Sequence, residues 1–123
     1  MPAYSNAAPP LALFPGDVGF SFSAEAFPGA GTAGAQFAVP EPAGFPDQGH
    51  TVRWQTIFGT APSAVNIRLQ GAMADVDAEY ADVDTSTATA GEARTVAGVR
   101  ARFLRVKLVS STGGAALTAK MLP

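Results

Sequence analysis

From His50 onward, apolar side chains recur at every second position, and clusters of Gly, Pro, Ser and Thr cut the runs short. A chain patterned this way folds into short β-strands. Val52, Trp54, Thr56 and Phe58 point one way, while Thr51, Arg53 and Gln55 point the other. Breaker residues at 59–63 follow, and Val65, Ile67 and Leu69 then alternate with Asn66, Arg68 and Gln70 as a second strand, joined to the first by a hairpin or short crossover. Tyr80 to Asp84 reads as a short strand with Val83 inward, and the polar run 85–89 as a loop ending near Gly91. Helix is the competing reading for 72–81, where Ala, Met and Glu favour it. Glu92 to Val96 is a further short strand. Val99 to Val109 is the longest β-favouring run, with Leu104, Val106 and Leu108 opposed to Phe103, Arg105 and Lys107, giving an apolar and a basic face. The turn at 110–114 contains two glycines, after which Ala115 to Leu122 is expected to pair back as the last strand.

The half before His50 is physically different. It holds eight of the ten prolines and six of the eight phenylalanines, and none of the eight Lys and Arg residues. Proline removes a backbone donor and fixes φ, which disfavours long helices and central strands. Leu11–Phe14, Val18–Ala24 and Ala35–Val39 remain as weaker strand candidates. The chain is one domain's length, and its 47% hydrophobic content suffices for one core. The expectation is an all-β fold, a β-sandwich or jelly-roll-like domain with an extended Pro/Gly/Ala-rich N-terminal arm. Residues 1–15 form the arm, 16–50 a loop-rich opening portion of the sandwich, and 51–123 the main strands. The N-terminus lacks the basic start and apolar run of a secretion signal, and no run approaches the roughly 20 apolar residues that span a bilayer, so no membrane partner is expected.

The chemical inventory is short. Without cysteine there is no disulfide or thiolate, and with His50 as the sole histidine no His-based metal cluster or Cys–His nucleophile can be assembled. The nucleophile-elbow and phosphate-loop patterns are absent. Gly29, Gly31 and Gly34 match a dinucleotide-binding spacing in letters only, following Phe-Pro rather than a strand and opening no helix. No catalytic residue, cofactor or metal is expected. Asp75, Asp77, Asp82 and Asp84 are the one supply of hard oxygen ligands for calcium, but the glycine and terminal glutamate of the helix-loop-helix site are missing. Trp54 and Tyr80 are the aromatics a sugar-binding site would use, although the in-phase neighbours of Trp54 place it in a core. A net charge of −2 argues against nucleic acid. The acidic stretch 75–84 and the basic stretch of Arg94, Arg100, Arg102, Arg105 and Lys107 read as two solvated faces of little energetic consequence, with pairing across neighbouring strands or neighbouring subunits as the alternative. An apolar arm without cations suits lying across another chain, which makes Pro9, Pro10, Leu11, Leu13 and Phe14 the expected partner contacts, with Arg102 and Arg105 able to bind a partner's carboxylate or phosphate.

The succession Trp54 to Pro62, then Val65 to Gly71, then Arg102 to Lys107 and the Thr-Gly-Gly turn at 112–114 resembles small β-sandwich structural proteins of tailed bacteriophages and prophages, over roughly residues 50–122. In those proteins the Leu-Gln-Gly stretch is followed by a serine and an Asp-Gly turn, and residues 72–76 here depart from that. The resemblance implies a virion protein made in the host cytoplasm: a capsid decoration or cementing protein bound to the major capsid protein and to neighbouring copies of itself as a homo-oligomer. A tail or baseplate structural protein is the near alternative, and a carbohydrate-binding attachment module the competitor from another class.

Overall fold

The computed structural model describes residues 11–13, 17–25, 29–39 and 49–123. Among the described residues ten strands run in chain order: β1 Leu11–Ala12, β2 Gly19–Glu25, β3 Thr32–Ala33, β4 Phe37–Ala38, β5 His50–Thr60, β6 Ala64–Ala72, β7 Ala81–Ser86, β8 Ala93–Val99, β9 Phe103–Thr112 and β10 Ala115–Leu122. Between β6 and β7, where helix competed in the sequence, there is one short 3-10 turn at Asp77–Glu79.

The strands form two sheets. One has the order β1-β4-β9-β6-β7 with β3 also on β9, and the other β2-β10-β5-β8. All pairings are antiparallel except β1 with β4. β3 and β4 behave as one interrupted strand along β9: Thr32 and Ala33 pair with Leu108 and Lys107, and Phe37 and Ala38 with Leu104 and Phe103. Residues 34–36 therefore bulge against residues 105–106. Counted so, eight strands from β2 to β10 are arranged as two four-strand sets in the jelly-roll order, where most connections pass from one sheet to the other.

That order corrects two expectations. Residues 110–114 do not fold β10 back onto β9, because β10 crosses to the other sheet and pairs with β5 and β2. The run Val99–Val109 is also not one strand: it breaks at 100–102, leaving Val99 at the end of β8 in one sheet and Phe103 at the start of β9 in the other. β5 and β6 likewise belong to opposite sheets, so the connection at 61–63 is a crossover.

The inward positions are those the alternation assigns. Val52, Trp54 and Thr56 of β5, Ile67 and Leu69 of β6, Leu104, Val106 and Leu108 of β9, and Leu117, Ala119 and Met121 of β10 are buried between the sheets. Each large apolar side chain removed from water contributes about 1.5–3 kcal/mol. Phe22 and Phe37 complete this core from the first half of the chain. Leu13 joins them, buried to 5%, and its N–H donates to the Ala38 carbonyl at 2.7 Å. Residues 11–13 are thus part of the sandwich, inside the stretch expected to be an arm. Ser21 ties β2 to the opposite sheet at the bulge: its hydroxyl donates to the Ala35 carbonyl at 2.9 Å and accepts the Val106 N–H at 3.0 Å. Without it that amide would be buried and unpaired.

Candidate protein interaction surface

The outer face of the larger sheet is closed over by its own charges. Outward residues of β6, β7 and β9 alternate with the core, which puts Arg68, Gln70, Asp82, Arg105 and Lys107 on this side. The connection 73–80 then folds back across part of them. Arg105, only 2% exposed, donates from Nε to Gln70 Oε1 at 2.9 Å and from Nη1 to Asp77 Oδ1 at 2.7 Å, with its guanidinium 4.0 Å from the centroid of the Tyr80 ring. Tyr80 in turn donates to Asp75 Oδ1 at 3.0 Å. Gln70 Nε2 donates to Asp82 Oδ1 at 3.0 Å, and Arg68 Nη1 to Asp82 Oδ2. The hydrogen bond from Gln70, with those and the charge of Arg68, outweighs partial burial and holds the Asp82 carboxyl below its ordinary value.

Asp84 closes the edge where β7 of one sheet meets β8 of the other. Arg94 grips it with two N–H groups at 2.7 and 3.1 Å, and Trp54 Nε1 donates to Oδ2 at 2.9 Å. Burial pushes this carboxyl up, yet the hydrogen bonds from Arg94 and Trp54 prevail and keep it lowered. Arg94 also reaches Glu92 at 2.9 Å. The acidic and basic stretches therefore meet within one chain, between β7 and β8 and from the connection 73–80 to β9, while Asp82 pairs with Arg68 of β6.

The residues expected to contact a partner are dispersed. Arg102 is exposed and immediately precedes β9, where its N–H donates to the Ala72 carbonyl and its carbonyl accepts from the Val39 N–H. Arg105 is under the 73–80 connection and presents no surface to a partner. Leu13 is in the core, and Leu11 is in β1 beside Phe37. Pro9, Pro10 and Phe14 lie outside the described residues. At the Arg102 end of the sandwich two open hollows flank Met73, which is 77% exposed. One of about 470 Å³ is lined mostly by small residues of β6, β7 and β8 with Arg100, Glu79 and Asp82 at its rim. The other, about 420 Å³, lies against Val39, Arg102 and Phe103. Both oxygens of Asp82 are held by Gln70 and Arg68, so the rim carboxylates do not form a free acid and base pair.

The surface that sequence reasoning missed is the outer face of the smaller sheet. Val18, Phe20 and Ile57 are 51%, 46% and 40% exposed there. The available signal was Ile57, an apolar residue in the outward phase of β5 next to Arg53 and Gln55.

No protein-family model, characterised protein or solved structure matches the chain.

Proposed function

We propose that the chain is a structural protein of a tailed-bacteriophage virion, a capsid decoration protein that works by binding other protein subunits and not by catalysis. The observation that carries this reading is where the polar chemistry goes. Asp77 is bonded to Arg105, Asp82 to Arg68 and Gln70, and Asp84 to Arg94 and Trp54, so the groups from which a metal site or a sugar site would be built serve the fold instead. Jelly rolls host both capsid and lectin domains, so the architecture alone does not choose between them. Trp54 is 1% exposed with its N–H bonded to Asp84, which removes the strongest candidate sugar platform. What the protein offers outward is surface: an apolar sheet face and an open end.

Co-sedimentation of the purified protein with phage heads lacking it, with tails and host envelopes as parallel baits, tests the reading. Saturable binding to heads is the expected result. Binding to tails alone would assign the protein to the tail, and binding to envelopes that sugar competes away would replace the reading with an attachment module.

A further inference from the structure

In an antiparallel sheet with one face in solvent, outward positions are normally rich in charge of both signs. The larger sheet obeys this and the smaller one does not. On the outer face of β2-β10-β5-β8, Phe20 stands opposite Lys120, Thr118 opposite Ile57, and Leu122 opposite Arg53. Val18, Arg53, Gln55, Lys120 and Leu122 surround a shallow hollow of about 120 Å³. Lys120 lies 6.0 Å from the Phe20 ring centroid. Arg53 and Lys120 are the charged side chains that β5 and β10 place on this face, and among the described residues neither forms a salt bridge with a carboxylate. Among the described residues the face thus combines exposed apolar groups with two cations that no carboxylate neutralises, on a protein whose net charge is −2.

From this charge pattern we infer that the outer face of the smaller sheet docks onto an apolar, acidic surface of another protein; the inference rests on the assembly reading and names the face and the partner chemistry. Carboxylates on such a partner would meet Arg53 and Lys120 while apolar groups cover Phe20, Val18 and Ile57. A second copy applied face to face about a two-fold axis would bring the two cationic faces together, which opposes that pairing. Two cations also fall short of the phosphate contacts that hold nucleic acid.

The test compares binding to heads lacking the protein for wild type, Arg53→Glu, Lys120→Glu, Phe20→Ser, and Lys107→Glu, an equal charge change on the other sheet's outer face. Folding of each is checked by circular dichroism and urea midpoint, and a glutamate variant that fails to fold is replaced by glutamine. Arg53→Glu and Lys120→Glu are expected to weaken binding at least about tenfold at low salt and to flatten its salt dependence. Phe20→Ser should weaken it at least about fivefold with the salt dependence retained, and Lys107→Glu should stay within about twofold of wild type. If wild type binds heads and all variants bind equally, or Lys107→Glu is the weakest, the inference falls and the assembly reading stands. If the Arg53 and Lys120 variants instead abolish self-association in sedimentation and leave head binding intact, the occupant is a second copy and the inference is overturned. Failure of wild type to bind heads or tails would remove the assembly reading, and this inference with it.

Discussion

Two buried serines show how a hydroxyl's worth depends on its partners. Ser21 spans the bulge between the sheets, whereas Ser86 Oγ, also buried at the end of β7, has no hydrogen-bond partner among the described residues. Ser21→Ala strands the Val106 amide and should cost about 1–3 kcal/mol in urea denaturation, while Ser86→Ala removes an unsatisfied group and should leave stability unchanged or raised. Similar losses for both would contradict the assigned hydrogen bonds. Asp84 carries the second prediction at this scale. Its carboxyl is lowered in the folded chain relative to an ordinary value near 3.8, so as pH falls the unfolded state takes up protons first. The stability Asp84 contributes is therefore present above the unfolded value and lost as pH falls through the folded one; Asp82 acts in the same direction. Urea midpoints between pH 6 and 2.5 should decline more steeply for wild type than for Asp84→Asn, which starts lower at pH 6. Parallel curves would sink the assignment.

At the scale of elements, Arg105 fastens the 73–80 connection to the larger sheet through Asp77 and the Tyr80 ring. Arg105→Ala leaves Gln70 Oε1 and the Tyr80 ring without their buried partner, and should cost about 1–3 kcal/mol and raise hydrogen exchange over 73–80. Asp77→Asn should cost less than about 1 kcal/mol, because the Asp77 side chain is 65% exposed. A larger loss for Asp77 than for Arg105 would mean that the pair is not organised around the buried guanidinium. This contact marks where the sequence stopped being legible. Alternation located β5, β6 and β9 and the inward side chains of each, since a half-buried strand must repeat every two residues. It could not say which sheet each strand enters, because both sheets present the same inward pattern to the shared core. For that reason Gly113 and Gly114, with φ of 70° and 88°, read as a hairpin turn although they pass the chain between sheets. Alternation also set Arg105 on the outward face correctly, but burial there depends on a connection distant in sequence that brings Asp77 and Tyr80. The surface of the smaller sheet was hidden for a related reason: Phe20, Lys120 and Ile57 become neighbours only once β2, β10 and β5 are placed side by side.

For the whole molecule, the two outer faces have opposite characters. One is sealed by a network of ion pairs and hydrogen bonds; the other is apolar and cationic. The chain contains two lysines, and they report on the two faces separately: Lys107 lies beside Arg68 on the outside of the larger sheet, and Lys120 beside Phe20 on the outside of the smaller. Amine-reactive labelling of the free and head-bound protein, read out by mass spectrometry at each lysine, therefore tests most directly whether the protein assembles through the apolar face. Lys120 should lose reactivity on binding while Lys107 keeps it. Protection of Lys107 with Lys120 still open, or unchanged labelling of both in the bound state, would contradict the account.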